Sequence, residues 1–492
     1  MRALPPRRST ALSLLLACLL ALSACGTQVD DSVRRQLAQA QLSTGQGAGV
    51  GPGRGATGPG TAAGPAGGGT GSGADSGPLA GPGGSAQGGG PTNQGSTGAG
   101  EGAGTSAPAP PRGNGGATDV GVTATTITVG HVSDLSGPQP GLFQTAVNGT
   151  NAYIAYANSQ GGLFGRQLKI AVADSQTSCE GDRRGHAGLI DKAFAFAGSF
   201  SLFDQCGASV LKSNPDVPDA HLAVTPEANA IPNNFSVNPI GDKIGNGVYA
   251  WAAKKFGAEV VKHTAFMYVN LPAVTNVAAL QKKAAESTGW VFEYERAVGA
   301  TETDFTADII QMRQRGITMF LTLFNADQMS NFKPQADQQG FRPKFMAPLM
   351  YDQTFFTKLG GSAAAEGMVG SVGAALFFSA EDARNVPAVA LFQKWYARVS
   401  GGAAADTFAA NAWAETALLV EAMRRAGPEL TRKKTMAELR KITSFDADGF
   451  YAPANPAAKK GSGCYVIFEI KGGKYLRLDT PAKGFRCDGK MV

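Results

Sequence analysis

Histidine is scarce in this chain of 492 residues, with four in all: His131, His186, His221 and His263. They are scattered, and none forms an HxxxH or HExxH pair. His131 sits inside a strand-like run and reads as buried structure rather than a base. A GxSxG elbow, a P-loop and a CxxC pair are all missing, so the usual hydrolase, nucleotide-phosphate and zinc or dithiol chemistries find no support. Charged residues make up only 17% of the chain, and the net charge of +6 is spread without a basic run. Nucleic acid is therefore not an expected partner. Beyond the first two dozen residues, no apolar run is long enough to span a bilayer. The expectation is a protein that is not an enzyme and uses no cofactor and no metal.

Other features are plentiful. Arg2, Arg7 and Arg8 precede an apolar run from Ala11 to Leu22, the pattern of an export signal over residues 1–24. Leu22-Ser23-Ala24-Cys25-Gly26 resembles the lipobox of bacterial lipoproteins. That resemblance implies cleavage before Cys25, a lipid on its thiol, and a protein tethered at the outer face of the cytoplasmic membrane. The plainer alternative is an ordinary signal peptide cut after a small residue. Residues 25–118 then supply the lipidated cysteine and a segment dominated by Gly, Ala, Ser, Pro and Thr. Such a composition cannot offset its ordering entropy and reads as a flexible tether. It contains a literal GxGxxG, Gly53 to Gly58, with no strand before it and no helix after it. That match is an accident of composition.

Four of the six cysteines lie in the remaining part: Cys179, Cys206, Cys464 and Cys487. An even number in an exported chain favours disulfides over free buried thiols. Local pairing is expected, Cys179 with Cys206 and Cys464 with Cys487. Each would close a loop of about 25 residues, for roughly 3–4 kcal/mol in the chain-entropy model.

From residue 119 on, strand-like and helix-like periods alternate. Thr125 to Val132 alternates as a strand, and Leu142 to Asn158 carries apolar residues at helical spacing up to Gly161-Gly162. Leu168, Ile170 and Val172 form one face of a second strand. A helix over Asp182–Phe194, a strand at Phe196–Gly198, a helix at Gln205–Lys212 and a strand at His221–Thr225 follow. A second series includes strands at Thr264–Tyr268, Val291–Tyr294 and Met319–Leu323, with helices between them. Helices at Pro387–Val399, Thr407–Ala426 and Arg432–Lys441 precede a closing hairpin turned by Lys471-Gly472-Gly473-Lys474. The pattern predicts an α/β protein with two doubly wound parallel sheets, whose ligand would sit beyond the carboxyl ends of the strands.

Four stretches give this pattern a family likeness. They are DLSGPQPG after the first strand, NSQGGLFGRQLKIAVAD, TDFTADIIQMRQRGITMFLTL and GCYVIFEIKGGKYLRL. In this order they resemble the loop, turn, helix and hairpin of the branched-chain amino-acid-binding (Leu/Ile/Val) family of type I periplasmic, or solute-binding, proteins. The resemblance implies two lobes, a Venus-flytrap, joined by three crossovers near Asn238–Gly241, Gly370–Gly373 and Asp446–Asn455. Lobe 1 would comprise 119–239 with 372–449, and lobe 2 would comprise 240–371 with 450–492. The implied function is capture of a small molecule by hinge closure and delivery to an ABC-type permease, by a monomer. The alternative is a sensor that presents its closed form to a membrane receptor. The glycines after Asn158 would turn the chain away from the ligand. Asp174 would face the cleft or cap a turn.

Family members that bind amino acids hold the carboxylate with first-lobe hydroxyls and backbone N–H groups. The residues in those positions here are Ser201 and Thr225, with Ser199 and Asn229 beside them and Phe203, Phe200 and Leu142 as apolar walls. In the second lobe the corresponding loops carry Phe324, Asn325 and Tyr351, with Leu349 and Met350 where an ammonium-holding acid is expected. Asp352 or Asp327 is the nearest substitute, although Asp327 reads as a helix cap. An unpaired buried ammonium costs several kcal/mol. The expectation is a carboxylate or amino-acid-like ligand more apolar than a standard polar amino acid, seated among Phe203, Phe324 and Tyr351.

Overall fold

Burial on both faces is what the central strands of a parallel sheet require, and the strand β1, Thr126–Ser133, buries Ile127 and every residue from Val129 to Ser133. The computed structural model describes residues 113–138, 140–347, 351–352 and 354–492. The signal segment, Cys25 and the tether to residue 112 lie outside the described residues, as do Leu349 and Met350.

The first lobe is a five-stranded sheet in the order β2-β1-β3-β4-β5, all parallel. Its other strands are β2 (Gln167–Asp174), β3 (Ala195–Ala197), β4 (Asp219–Ala220) and β5 (Asn234–Phe235). The second lobe has seven strands in the order β12-β11-β10-β9-β8-β6-β7. There β6 (Thr264–Val269), β7 (Phe292–Val298), β8 (Met319–Leu323), β9 (Lys344–Met346) and β10 (Val369–Val372) run parallel. The hairpin β11 (Val466–Lys471) and β12 (Lys474–Arg477) adds antiparallel to β10. Strand order reverses between β1 and β3 and again between β6 and β8, which makes two switch points whose loops open to a ligand. The α/β class with two parallel-sheet lobes is therefore as read from the sequence.

After β10 the chain returns to the first lobe, where the helices Pro387–Val399 and Thr407–Ala426 pack on the helix Gln144–Ser159. The contact is close because Gly149 has no side chain: a Cβ built there would lie 2.1 Å from the carbonyl oxygen of Ala409. Two ionisable side chains, one buried and one half-buried, are tied to the backbone at and just after β5. Glu415, fully buried on the long helix, accepts from Ser236 Oγ at 2.5 Å and from the Val237 amide at 3.1 Å. Burial pushes its carboxyl up to about 8 against those hydrogen bonds. Lys459 Nζ donates to Asn234 O at 2.5 Å, and burial lowers its amine to about 8.

Two disulfides join Cys179 to Cys206 and Cys464 to Cys487, closing sequence separations of 27 and 23. Several boundaries differ from the sequence reading. The helix expected over Asp182–Phe194 runs Cys179–Leu189, because Ser178 caps it by accepting from the Gly181 amide at 3.1 Å. The strand expected at His221–Thr225 lies just upstream at Asp219–Ala220, since Thr225 leaves the sheet to cap the short helix Pro226–Ala230. Asp174 caps a turn: Oδ1 accepts from the amides of Leu135, Ser136 and Gln176, and Oδ2 from Ser136 Oγ. Gly161 and Gly162 take φ of 94° and 73°, the left-handed conformation that glycine adopts without steric cost.

Replacing Gly149 by alanine forces the two helices apart. The variant Gly149→Ala is expected to lose about 1–3 kcal/mol of stability, an overpacking cost readable by denaturant unfolding; an unchanged midpoint would show that the contact is not tight.

Candidate functional site

Loops from both lobes converge on one cavity of about 470 Å³. The first lobe supplies Leu142 and Thr145, which follow β1, and Asp406 and Phe408 at the start of the helix Thr407–Ala426. The second lobe supplies Thr301 after β7, Asn325 to Gln328 after β8, and Asp352, Thr354 and Lys358 after β9. These are carboxyl ends of strands, where the topology places a ligand.

The polar side of the cavity is acidic. Asp406 caps its helix by accepting from the Ala409 amide at 2.9 Å, and it also accepts from Thr145 Oγ1 at 2.7 Å. Burial raises its carboxyl to about 6, against the pull of those two donors. Asp352 Oδ1 accepts from the Thr354 amide at 2.7 Å and from Thr354 Oγ1 at 2.9 Å. Asp327 pairs with Lys358 at 2.8 Å, both of them exposed. Among the described residues, three carboxylates and one lysine line the cavity, and that lysine is already paired.

The apolar side is a shelf on the first lobe. Phe143, Phe200 and Phe408 form a ring cluster with centroids 4.8–5.2 Å apart, within the range of favourable edge and tilted contacts. Leu142, Leu202, Leu222 and Val224 pack against it and stay partly exposed. The shelf connects the cavity with the loops after β3 and β4.

The sequence-predicted residues fall into three groups. Leu142 and Asn325 line the cavity. Asn325 is also the N-cap of the helix Ala326–Gln338, with its Oδ1 accepting from the amides of Asp327 and Gln328 and Gln328 completing a capping box. The cap is therefore Asn325 and not Asp327, which sits in the first turn. Ser201, Phe203, Thr225 and Asn229 do not line this cavity; Ser201 and Thr225 are buried in the loops after β3 and β4. Ser201 Oγ accepts from the Phe203 amide at 3.1 Å, and Thr225 Oγ1 donates to Asp204 at 2.5 Å. Asn229 Oδ1 is buried and finds no partner among the described residues. Phe324 and Tyr351 belong to the core beside the cavity. Phe324 is fully buried against Phe305 and Phe332, and Tyr351 is buried with its hydroxyl accepting from the Phe378 amide at 2.9 Å. Asp406 escaped the sequence reading, because an Asp-Thr before an apolar helix is the ordinary signature of a cap.

The family model for periplasmic binding proteins matches residues 126–474. The chain belongs to the periplasmic binding protein family. This is a family of binding proteins rather than enzymes. No curated protein sequence gives a match. Among solved structures, the binding protein is similar to a fatty acid ABC transporter substrate-binding protein from Thermomonospora curvata, with 17% identity and a TM-score of 0.63, over 76% of this chain and 96% of that one. A branched-chain amino acid ABC transporter protein from Thermus thermophilus, with bound valine, matches at 17% identity and a TM-score of 0.61, over 72% and 95%. A solute-binding protein from R. palustris in complex with benzoate matches at 17% and 0.57, over 74% and 98%. At such identities the likeness concerns the fold.

The Asp406 carboxyl offers a direct check on the site's electrostatics. Its folded value near 6 lies above the ordinary value of about 3.9, so the folded binding protein holds more protons between them. Ionisation of Asp406 therefore costs stability as pH rises from about 4 to about 6. Asparagine is an equally good N-cap and carries no charge. Melting temperatures of Asp406→Asn across this window are expected to lack the decline that the parent shows; parallel profiles would mean that Asp406 titrates normally.

Proposed function

We propose that this chain is the extracytoplasmic solute-binding component of an ABC importer, held at the membrane through Cys25 and closing its lobes over a small amphipathic ligand. The ligand is amino-acid-like in one respect: its head carries positive charge or several hydrogen-bond donors. One observation carries this reading. Asp352 and Asp406 line the cavity from opposite lobes, Asp327 lies beside them, and the only lysine among the described lining residues is engaged by Asp327. A ligand offering only a carboxylate would be repelled there, since like charges within a few ångströms cost energy even at an effective dielectric near 20. An ammonium or a cluster of donors would be held by both lobes at once, which is the condition for closure.

The ligand's body is apolar. Leu142 and Phe408 reach from the shelf into the cavity wall, and Leu202, Leu222 and Val224 continue the apolar cluster on the first lobe. Ser201, with its oxygen accepting from Phe203, keeps a proton to donate to an acceptor at the other end of the ligand. Phe203, Thr225 and Asn229 flank it. Valine and benzoate are bound in two of the similar structures, and a third is a fatty acid transporter's binding protein; these ligands share apolar bodies. The acid missing from the predicted second-lobe position is thus supplied by Asp406 of the first lobe with Asp352, so a free branched or aromatic amino acid belongs among the candidates.

The test is a thermal-shift screen that sets branched and aromatic amino acids and their decarboxylated amines against the matching simple carboxylates. A ligand at 100 times its dissociation constant adds about 2.7 kcal/mol. Amines and amino acids are expected to stabilise the protein and to reduce its radius of gyration in small-angle scattering. The response should weaken below pH 6 as Asp406 takes up a proton, by at most about tenfold in affinity per pH unit. Stabilisation by the carboxylates alone would refute the donor-head reading.

A further inference from the structure

A second cavity adjoins the first. It has a volume of about 360 Å³ and is lined by Phe377, Phe378, Phe392 and Tyr396, with the loop from Ser400 to Ala405 along its other side. Ala404 belongs to the walls of both cavities. Between Ser400 and Asp406 the chain reads Gly401-Gly402-Ala403-Ala404-Ala405, so nothing larger than a methyl group projects from this stretch. Gly401 and Gly402 take φ of 61° and 91°, and the space around each is open. Tyr396 fixes the loop by donating its hydroxyl to Ala404 O at 3.2 Å.

The two cavities differ in chemistry. The first presents the Asp352 and Asp406 carboxylates. The second is backed by aromatic rings: Phe378 is partly exposed there, and behind it Phe377, Phe392 and Tyr396 are packed into the core, with ring centroids 4.5 Å apart for Phe377 and Phe378 and 5.4 Å for Phe392 and Tyr396. Among the described residues that line it, none is charged. A polar compartment beside an aromatic one, divided only by alanine, is suited to a molecule with a charged head and an extended apolar tail.

We propose that the binding site extends past Ala404 and takes amphiphilic primary amines, with the ammonium between Asp406 and Asp352 and an unbranched tail lying in the second cavity beside Phe378. This inference rests on the first cavity being the ligand site. It adds a length-measuring compartment and assigns specificity for it to the small residues of the 400–405 loop.

The experiment is calorimetric titration of the globular protein with n-alkylamines from butylamine to octylamine, with butyrate to octanoate as counterparts. Burying one methylene is worth about 0.8 kcal/mol, a factor of about four in affinity. Affinity for the amines is expected to rise by about that factor per added carbon until the second cavity is full, while the carboxylates bind far more weakly. Ala404→Phe closes the passage and is expected to remove the gain from longer chains. Ala403→Phe, at an exposed position on the second cavity alone, gives the same pattern by filling the compartment, and it guards against misfolding of the first variant. Butylamine binding with no increment for longer chains, or an increment that survives both substitutions, would overturn the inference and leave the first cavity's role standing. No response to any amine would remove both.

Discussion

The close approach at Gly149 sets the geometry of the site. With no Cβ there, the helix Gln144–Ser159 lies against the backbone of Ala409 on the helix Thr407–Ala426. The two helix starts are then side by side at the mouth of the cleft. Thr145 reaches Asp406, and Phe143 reaches Phe408, only because the axes are this near. A charged group and an apolar shelf are thus built by one packing contact. A side chain at position 149 would separate both pairs at once.

The same lobe also anchors the connections to its partner. Glu415, on the helix that carries Asp406, binds the backbone and hydroxyl of Ser236 and Val237 just after β5, where the chain sets out for the second lobe. Lys459, on the returning segment, binds Asn234 at the end of β5. Glu415 is buried and Lys459 half-buried, and both are displaced from their ordinary titration ranges. Breaking either contact leaves a buried group unsatisfied, which costs more than the hydrogen bond itself contributes. These ties hold the crossovers to the rigid sheet, and the freedom of the lobes is left to the residues beyond them.

Charge and apolar area act on different parts of a ligand here. In the proposed reading, the carboxylates at Asp352 and Asp406 would select the head by sign, and the apolar surfaces at Phe408 and Phe378 would select the body by size. A site built from acids alone would favour any small cation, and an apolar site alone would discriminate weakly between chains of similar volume. Placing the acids on opposite lobes couples the choice of head to closure.

Much of the architecture was legible in the sequence, because strand and helix periods and glycine stops act between neighbours in the chain. The alternation of Thr126 to Val132, the helical spacing before Gly161-Gly162 and the Lys471–Lys474 hairpin all encode local conformation that the packed lobes preserve. The two local disulfides followed from cysteine number and spacing. The site was less legible. Phe324 and Tyr351 stand at strand ends like wall residues, yet they turn inward, Tyr351 because the Phe378 amide satisfies its hydroxyl within the core. Asp406 has the local look of a helix cap and serves as one, and its place on the cavity wall depends on Thr145 arriving from a distant helix. Sequence fixes local conformation through short-range sterics and hydrogen bonding. Which side chains share a cavity, and which carboxyl is desolvated there, was decided only when two helices distant in the chain met at a glycine.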